Sequence, residues 1–500
     1  MYIAAAAMVP VLGMVGSAID MGRGYMAQVR LQQACDAGAI AGRRIMTGSG
    51  ITPDVQAEVV KFVTANFPQG SYGSTPFSIT PTNQTDDTLD LTLTSQVDTT
   101  VARIVGVKNL PIQAVCSAKD EYSNIDLMLV LDTTLSMNCA STASATTLCE
   151  NETGSSKIVS LRSAVATLYD TLKPIEDRFN TETADKRKRI RWGIVPYSMN
   201  VNVGTLLRST NTNWVQTTGS LYRNALGQAV SPSTAHDSTW FANTFDGCVE
   251  ERATINSITA SSSLEIATHV ANGARDLDIN TAPNSAVEAS KWAPSDPAAS
   301  SGKSGSSTKL AYSCPKRARK LDTLANKTVL TDFLNSSTPS GEKSGFVAGG
   351  YTYLDIGLLW GARLMSSTGL WSSENPTVYH DYPVQKHVIF MTDGFMDPDV
   401  NAYTAYGIHK WDKRVANDAS ENAAKISHDR RVQIICNAIK DSGARIWVVA
   451  FGSSAGTAVS SQLKSCSSGD GYWFWAGDST GLNQAFQTIG NNIGSLRLSK

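Results

Sequence analysis

Residues 125–137 constrain the fold of this 500-residue chain more than any other stretch. They read Ile-Asp-Leu-Met-Leu-Val-Leu-Asp-Thr-Thr-Leu-Ser-Met, and the first half is an almost continuous apolar run. Such a run predicts a strand buried on both faces, as in a parallel sheet. The run ends at Asp132, and Thr134 and Ser136 follow at two-residue spacing. We therefore expect three oxygen-bearing side chains beyond the carboxyl end of a strand, where open α/β sheets bind ligands.

From residue 125 onward, predicted strands alternate with predicted helices. Strands are predicted at residues 192–198, 387–394 and 445–451, and helices at 158–172, 431–440 and 482–496. The first helix should end at Pro174, which lacks a backbone N–H. This alternation predicts a doubly wound, mostly parallel α/β sheet. Residues from about 205 to 345, rich in Ser, Thr and Asn, are interpreted as a long insertion, and the basic residues 186–191 as a solvated turn.

The N-terminal segment predicts a membrane anchor. Residues 2–19 carry no charge, and such a length suffices to cross a hydrocarbon core of about 30 Å. A cleaved signal peptide is the alternative, but no basic residue precedes the run, which is also longer than a typical signal core. Arg23 and Arg30 follow the span, which by the positive-inside rule would place the body in the cytoplasm. Eight cysteines and a charged content of only 17% favour instead a single-pass inner-membrane protein with its body in the periplasm or at the cell surface.

Residues 46–121 are predicted to form a small α+β unit. Its helix and strand are indicated by apolar residues at helical spacing and then at alternate positions: Val55, Val59, Phe62 and Val63, followed by Leu89, Leu91 and Leu93. A long helix that precedes a small sheet resembles pilin architecture. The predicted domains are thus a transmembrane helix over residues 1–45, this unit, and an α/β domain over residues 122–500. A net charge of −1 provides no basic field, so nucleic acid is not an expected partner.

Two further oxygen donors follow in the α/β domain. Thr352 precedes a predicted helix, and Asp393 ends the strand that contains Met-Thr-Asp-Gly. Taken alone, each motif has a simpler interpretation: a helix cap for Asp132, Ser136 and Thr352, and an ordinary turn for Asp393. Oxygen donors of this kind at strand ends and helix starts suit a hard divalent cation. Mg²⁺ is the expected ion, with Mn²⁺ and Ca²⁺ as alternatives.

The order of these groups resembles the metal-ion-dependent adhesion site of von Willebrand factor A domains. Asp-x-Thr-x-Ser at residues 132–136 is similar to that family's Asp-x-Ser-x-Ser opening, while Thr352 and Asp393 match its second and third metal loops. The resemblance implies that Asp132 and Asp393 supply charge and that Thr134, Ser136 and Thr352 supply neutral hydroxyls. It also implies an open position on the ion for a partner's carboxylate.

Two residues depart from that pattern. Thr134 stands in place of Ser and keeps the hydroxyl, which is a mild change; the second departure lies at the entrance of the site. Leu135 stands where similar chains often have Gly, and its side chain is expected to narrow the approach to the ion. Asp397 and Asp399 are expected to be solvated loop acids, with a role in shaping the rim as the alternative.

A second resemblance concerns the N-terminal segment and several blocks of the α/β domain. The segment contains Pro10-Val-Leu, Ala18-Ile-Asp-Met-Gly-Arg-Gly-Tyr and Leu31-Gln-Gln-Ala-Cys-Asp-Ala-Gly-Ala-Ile-Ala-Gly. These residues, with Trp192-Gly-Ile-Val-Pro-Tyr-Ser and Gly247-Cys-Val-Glu-Glu-Arg, resemble TadE/TadG-like proteins of tight-adherence (Flp) pilus assembly. The resemblance implies protein partners in the pilus or envelope machinery.

The cysteines are expected to pair locally in the α/β domain, although sequence does not fix connectivity. The expected pairs are Cys139 with Cys149, Cys248 with Cys314, and Cys436 with Cys466. Cys35 and Cys116 are then either free and buried or paired with each other near the membrane.

No motif in the chain indicates an enzyme. Gly452-Ser-Ser-Ala-Gly formally satisfies the nucleophile elbow, but a hydrolase of that fold needs a later histidine and the last one is His428. The two resemblances imply a binding function, that of a membrane-anchored A-domain protein of pilus assembly and adherence. A stand-alone surface adhesin and an A-domain subunit of a metal-dependent enzyme machine are the alternatives, which genomic neighbours would separate.

Overall fold

The chain divides into two compact units. The first contains Met1–Tyr122 with Asp177–Arg187 and Gly494–Lys500, and the second contains Ser123–Glu176 and Lys188–Ile493. The computed structural model describes residues 2–46, 51–84, 88–119, 124–143, 149–179, 189–217, 222–223, 228–231, 236–296, 312–339, 342, 344–452 and 460–494.

The first unit combines two helices with a three-stranded antiparallel sheet in the order β1-β2-β3. Its elements are α1 (Tyr2–Ile45), α2 (Pro53–Asn66), β1 (Ser78–Gln84), β2 (Thr88–Asp98) and β3 (Asn109–Lys119). Val55, Val59 and Val63 are buried along α2, whereas Phe62 is exposed. Among the described residues, no helix combines the length and the apolar character that a bilayer crossing requires.

The core of the first unit forms because α1 lays small and apolar side chains on the sheet. Ala27, Leu31 and Cys35 are fully buried against alternate residues of β2 such as Leu91. Cys35 forms a disulfide with Cys116 on β3. Helix and sheet are thus joined covalently as well as by apolar packing.

The second unit is built on strands and helices that alternate along the chain, with a long irregular region between them. In chain order its strands are β4 (Asn124–Asp132), β5 (Ile190–Tyr197), β6 (Tyr222–Arg223), β7 (Ala229–Val230), β8 (Val249–Glu250), β9 (Ala293–Pro294), β10 (Arg319–Thr323), β11 (Val378–Tyr379), β12 (Tyr382–Thr392), β13 (Tyr403–Thr404), β14 (Gly407–Ile408), β15 (Arg445–Phe451) and β16 (Trp473–Ala476). Its helices are α3 (Lys157–Phe179), α4 (Gly204–Thr210), α5 (Ser238–Asn243), α6 (Ile266–Ala271), α7 (Lys327–Phe333), α8 (Leu354–Met365), α9 (His409–Asp412), α10 (Glu421–Asp441), α11 (Ser460–Cys466) and α12 (Ser479–Ile493).

The main sheet of the second unit has the order β10-β5-β4-β12-β15-β16. Strands β5, β4, β12, β15 and β16 are parallel neighbours, and β10 is an antiparallel edge. The prediction of a mostly parallel α/β sheet is therefore confirmed. The predicted insertion is not wholly outside the sheet, because β10 lies within it and pairs with β5.

The central strand β4 is buried along its whole length because helices cover both of its faces. Met128 and Val130 face the core that contains α8 and α10. Leu127, Leu129 and Leu131 face the opposite core, which contains α3 and α12. The continuous apolar run at residues 125–131 thus reflects a strand with no solvent face.

Two local predictions in the second unit are wrong. Helix α3 continues through Pro174 to Phe179, because Leu168 and Leu172 anchor it in the core and a proline removes only one backbone donor. Arg191 is not part of a solvated turn: it is buried on β5, and its guanidinium donates to Asp126 at 2.7 and 2.6 Å. Residues 186–188 lie outside the described part.

Disulfides in the second unit join Cys139 to Cys149, Cys248 to Cys314, and Cys436 to Cys466. These are the three pairs suggested by the sequence. With Cys35–Cys116 in the first unit, the described residues contain four disulfides and no free cysteine.

Candidate metal centre

The site begins with two carboxylates at the ends of adjacent parallel strands. Asp132 is the last residue of β4, and Asp393 follows Thr392, the last residue of β12. The register pairs Leu131 with Met391, so both strands end at the same level of the sheet. Asp132 is fully buried and Asp393 is 2% exposed. Two acids are therefore held side by side at the carboxyl edge, away from bulk solvent.

A chain of hydrogen bonds links the first loop to Asp393. The Thr134 N–H donates to Asp132 Oδ1 at 2.8 Å, and the Thr134 and Ser136 hydroxyls lie 3.0 Å apart. Ser136 Oγ donates to Asp393 Oδ1 at 2.8 Å. The Thr392 hydroxyl donates to Asp132 Oδ2 at 2.8 Å. The structure thus brings four of the five predicted ligands, Asp132, Thr134, Ser136 and Asp393, into one polar cluster.

The fifth predicted ligand, Thr352, lies on a loop that is bonded to the first loop through its backbone. The Gly349 N–H donates to Thr133 O at 2.9 Å, and the Leu135 N–H donates to Gly350 O at 3.0 Å. Thr352 follows two residues later and is buried. These bonds place the start of the Thr352 loop beside the Asp132 loop.

A lysine that the sequence analysis did not select completes the cluster. Lys157 opens helix α3, and its Nζ lies 2.6 Å from Asp393 Oδ2. The side chains of Lys157 and Asp393 are 6% and 0% exposed. Among the described residues, Lys157 is the only cationic side chain within ion-pair distance of either site carboxylate.

Burial and like charge together disfavour ionisation of the first acid. Burial, and secondly the neighbouring Asp393 carboxylate, raises the pKa of Asp132 to about 7. Burial also raises the pKa of Tyr197, whose hydroxyl lies 3.5 Å from Asp132 Oδ2. The two buried carboxylates can carry more negative charge than the single ammonium of Lys157 neutralises. The donor set is made of oxygens only, as Mg²⁺ prefers, so the residues present fit a divalent cation.

Leu135 is accommodated inside the second unit. Its side chain is only 2% exposed, and its backbone N–H forms the bond to Gly350 described above. Asp397 contacts the Thr352 loop through its backbone, with its N–H donating to Thr352 O at 2.9 Å.

Another group of potential metal ligands is occupied by a disulfide. Asp246, Cys248 and Cys314 have their ligand atoms close together, but both cysteines are consumed by one disulfide. The motif that formally matches a nucleophile elbow is only partly described: Gly452 directly follows β15, and residues 453–456 lie outside the described part.

Sequence reasoning missed Lys157 and Thr392. Thr392 adjoins Asp393 in the quoted Met-Thr-Asp-Gly motif, so its position at the strand end was available. Nothing in the local pattern around Lys157 indicated an acidic partner, because Asp393 lies 236 residues away along the chain.

Comparison with known families supports the N-terminal resemblance. Residues 1–44 match the family model described as putative Flp pilus-assembly TadE/G-like. The resemblance stated for this segment is confirmed, and the match places the protein with components of the cell envelope. A comparison with curated protein sequences gave no match.

Solved structures similar to this chain include three pilus proteins. The pilus adhesin SpaC from Lactobacillus rhamnosus GG is 10% identical, with a TM-score of 0.33 over 84% of this chain and 34% of that chain. The PilB minor pilin from Streptococcus sanguinis is 10% identical, with a TM-score of 0.34 over 85% of this chain and 79% of that chain. The vWF domain of the type V pili tip protein Mfa5 from Porphyromonas gingivalis is 11% identical, with a TM-score of 0.33 over 76% of this chain and 98% of that chain. The chain spans about a third of the length of the SpaC adhesin. At these TM-scores the likenesses carry no argument about this chain.

Proposed function

We propose that this chain is a membrane-anchored, extracytoplasmic protein of Flp pilus assembly and adherence. In this proposal the second unit is a von Willebrand factor A domain that binds pilus or envelope partners through a divalent-metal adhesion site. The observation that carries the proposal is the convergence of Asp132, Ser136 and Asp393 at the carboxyl edge of a parallel sheet. The family match of residues 1–44 supports the pilus context.

The residues around the proposed ion have distinct roles. Asp132 and Asp393 would supply negative charge, while Thr134, Ser136 and Thr352 would supply neutral oxygens. With only two charged ligands and neutral oxygens elsewhere, a Mg²⁺ held by these residues would remain electrophilic and could accept a partner's carboxylate at an open position. The strand ends keep both acids in place, and the bond from Thr134 N–H holds the Asp132 carboxylate in one orientation.

The proposed location follows from the anchor and the disulfides. Residues 2–19 carry no charge, and they would hold the protein at the inner membrane. Four disulfides favour an oxidising compartment for the remainder of the chain.

A titration of Asp132→Asn with Mg²⁺ and Mn²⁺ tests the metal site. The asparagine amide oxygen still accepts from the Thr134 N–H. Its NH₂ group can donate to Thr392 Oγ1, and the Thr392 hydroxyl proton can then be donated to Gly394 O instead of to residue 132. We expect the fold to persist and the metal affinity to fall by about 100-fold or more, since even groups outside the ligand shell cost 10–100-fold. Asp170→Asn, in an exposed ion pair on α3, is the matched control. Wild-type affinity in Asp132→Asn would contradict the site.

A pull-down tests the proposed partners. The full chain, crosslinked in envelopes with and without Mg²⁺, should retain pilus or envelope proteins only when the cation is present. Asp132→Asn should lose the same proteins in both conditions. If the same proteins were retained with Mg²⁺, with chelator and by Asp132→Asn, metal-dependent partner binding would be excluded.

A further inference from the structure

Lys157 reaches the candidate metal centre along a path that the fold prepares for it. Its backbone N–H donates to Cys139 O at 2.8 Å, which fixes the start of α3 beside the loop closed by the Cys139–Cys149 disulfide. Gly452, which directly follows β15, lies against the side chain: a Cβ there would be 3.6 Å from Lys157 Cδ and 3.7 Å from Nζ. The ammonium is thus held within the cluster, although lysine is a residue that normally keeps its charge in water.

Because the Lys157 ammonium is already paired with Asp393, a metal ion could not use both oxygens of the Asp393 carboxylate at the same time. Asp393 Oδ1 accepts from Ser136 and Oδ2 accepts from Lys157. A cation bound at Asp132, Ser136 and Asp393 would share a buried carboxylate with a second positive charge. Like charges a few ångström apart repel strongly where water is excluded.

We propose that Lys157 is an internal cation that competes with the divalent ion for Asp393. Without metal, the ammonium neutralises Asp393 and keeps the pair of buried acids compatible with folding. With metal, Lys157 must give up Asp393 Oδ2, so the apparent metal affinity is lower than the oxygen ligands alone would provide. This inference rests on the proposed metal site and adds a residue that sets its affinity.

Replacing the lysine tests the inference. Titration of Lys157→Met with Mn²⁺ should show a dissociation constant about tenfold or more below that of the wild type, because a nearby like charge is removed. Its metal-free melting temperature should fall, since two buried carboxylates then face no cation, and Mn²⁺ should raise that temperature by more than in the wild type. Lys157→Arg keeps the charge and should stay close to the wild type.

Lys327→Met is the matched control, because it removes an exposed ammonium paired with Asp170 and should change neither quantity. An unchanged dissociation constant in Lys157→Met, with metal affinity still strongly reduced in Asp132→Asn, would overturn the role of Lys157 and leave the metal site standing. Absence of binding in the wild type and in Lys157→Met would overturn both.

A measurement on the unaltered protein covers the case in which Lys157→Met does not fold. Amine-reactive labelling followed by mass spectrometry should show more modification of Lys157 at saturating Mg²⁺ than with chelator, since the metal releases the ammonium from Asp393. Lys327 should be labelled equally in both conditions. Equal labelling of Lys157 with and without Mg²⁺ would contradict displacement.

Discussion

At the scale of single residues, the candidate site shows how much a buried carboxylate depends on its immediate donors. Asp132 accepts from one backbone N–H and from the Thr392 hydroxyl, yet burial and Asp393 still raise its pKa. The cost of holding two acids together is reduced by Lys157. We expect a cation-binding site to keep buried carboxylates close together even though they repel each other, because the bound cation compensates their negative charge.

A second, half-buried acid leads to a prediction on pH. Burial raises the pKa of Asp246 to about 6, although Tyr312 and the Cys248 N–H donate to it at 2.7 and 2.9 Å. The folded state therefore binds this proton more tightly than the unfolded state, whose value is 3.8. The contribution of Asp246 to stability must then decrease as pH rises from about 4 to about 6, by at most roughly 3 kcal/mol.

Urea denaturation between pH 4 and pH 7 measures this contribution. Asp246→Asn should lose less unfolding free energy over that interval than the wild type, because it cannot ionise. Asp170→Asn, at an exposed position, should follow the wild type. Parallel pH profiles for the wild type and Asp246→Asn would refute the assignment.

At the scale of elements, the packing of α8 against β5 bears on the geometry of the candidate site. A Cβ at Gly357 would lie 2.5 Å from Tyr197 Cγ and 3.0 Å from Tyr197 Cβ, so glycine is required for the close approach of the helix. The Tyr197 hydroxyl in turn lies near Asp132. The packing of one helix therefore bears on the position of the strand end.

Gly357→Ala should destabilise the protein even though alanine favours helix. Overpacking a core typically costs about 1–3 kcal/mol, against a helix-propensity gain of about 1 kcal/mol. Gly481→Ala in α12 is the control, since the nearest atoms to a Cβ there are 3.5 Å away, an ordinary contact. Chemical denaturation should show a loss for Gly357→Ala and little change or a gain for Gly481→Ala; the reverse order would contradict the packing argument.

At the scale of the whole molecule, cross-links are distributed over both units. Cys35–Cys116 spans 81 residues of the first unit, whereas Cys139–Cys149 spans only 10 residues of the second. In the chain-entropy account a cross-link stabilises more when it closes a longer loop, here about 4.5 against about 2.7 kcal/mol.

Removal of each pair by double serine substitution should follow that order. Cys35→Ser with Cys116→Ser should lower the free energy of unfolding of its unit more than Cys139→Ser with Cys149→Ser lowers that of the second unit. Non-reducing peptide mapping of the wild type should recover all four pairs. Eight reactive thiols in the protein from its native compartment would refute the extracytoplasmic placement.

The extent to which the site was predictable follows from which contacts are local. Asp132, Thr134 and Ser136 share one turn, and Asp393 ends a strand with its own apolar signal, so pattern and position revealed them. Lys157 carries no such signal, because its partner is set by the approach of α3 to β12. Arg191 was misjudged for a similar reason: a basic run predicts solvent, and only the parallel neighbour β4 supplies Asp126.

By itself the sequence determined the alternation of strands and helices, the burial of β4 and the oxygen-rich ends of two strands, because apolar periodicity and turn residues act over a few positions. The matched N-terminal segment was equally visible, since it is a continuous motif. Tertiary structure decided what lies across from each group: β10 at the edge of the sheet, α3 continuing through Pro174, and Lys157 on Asp393. Packing energies and ion pairs depend on distance in space, which separation along the chain does not encode.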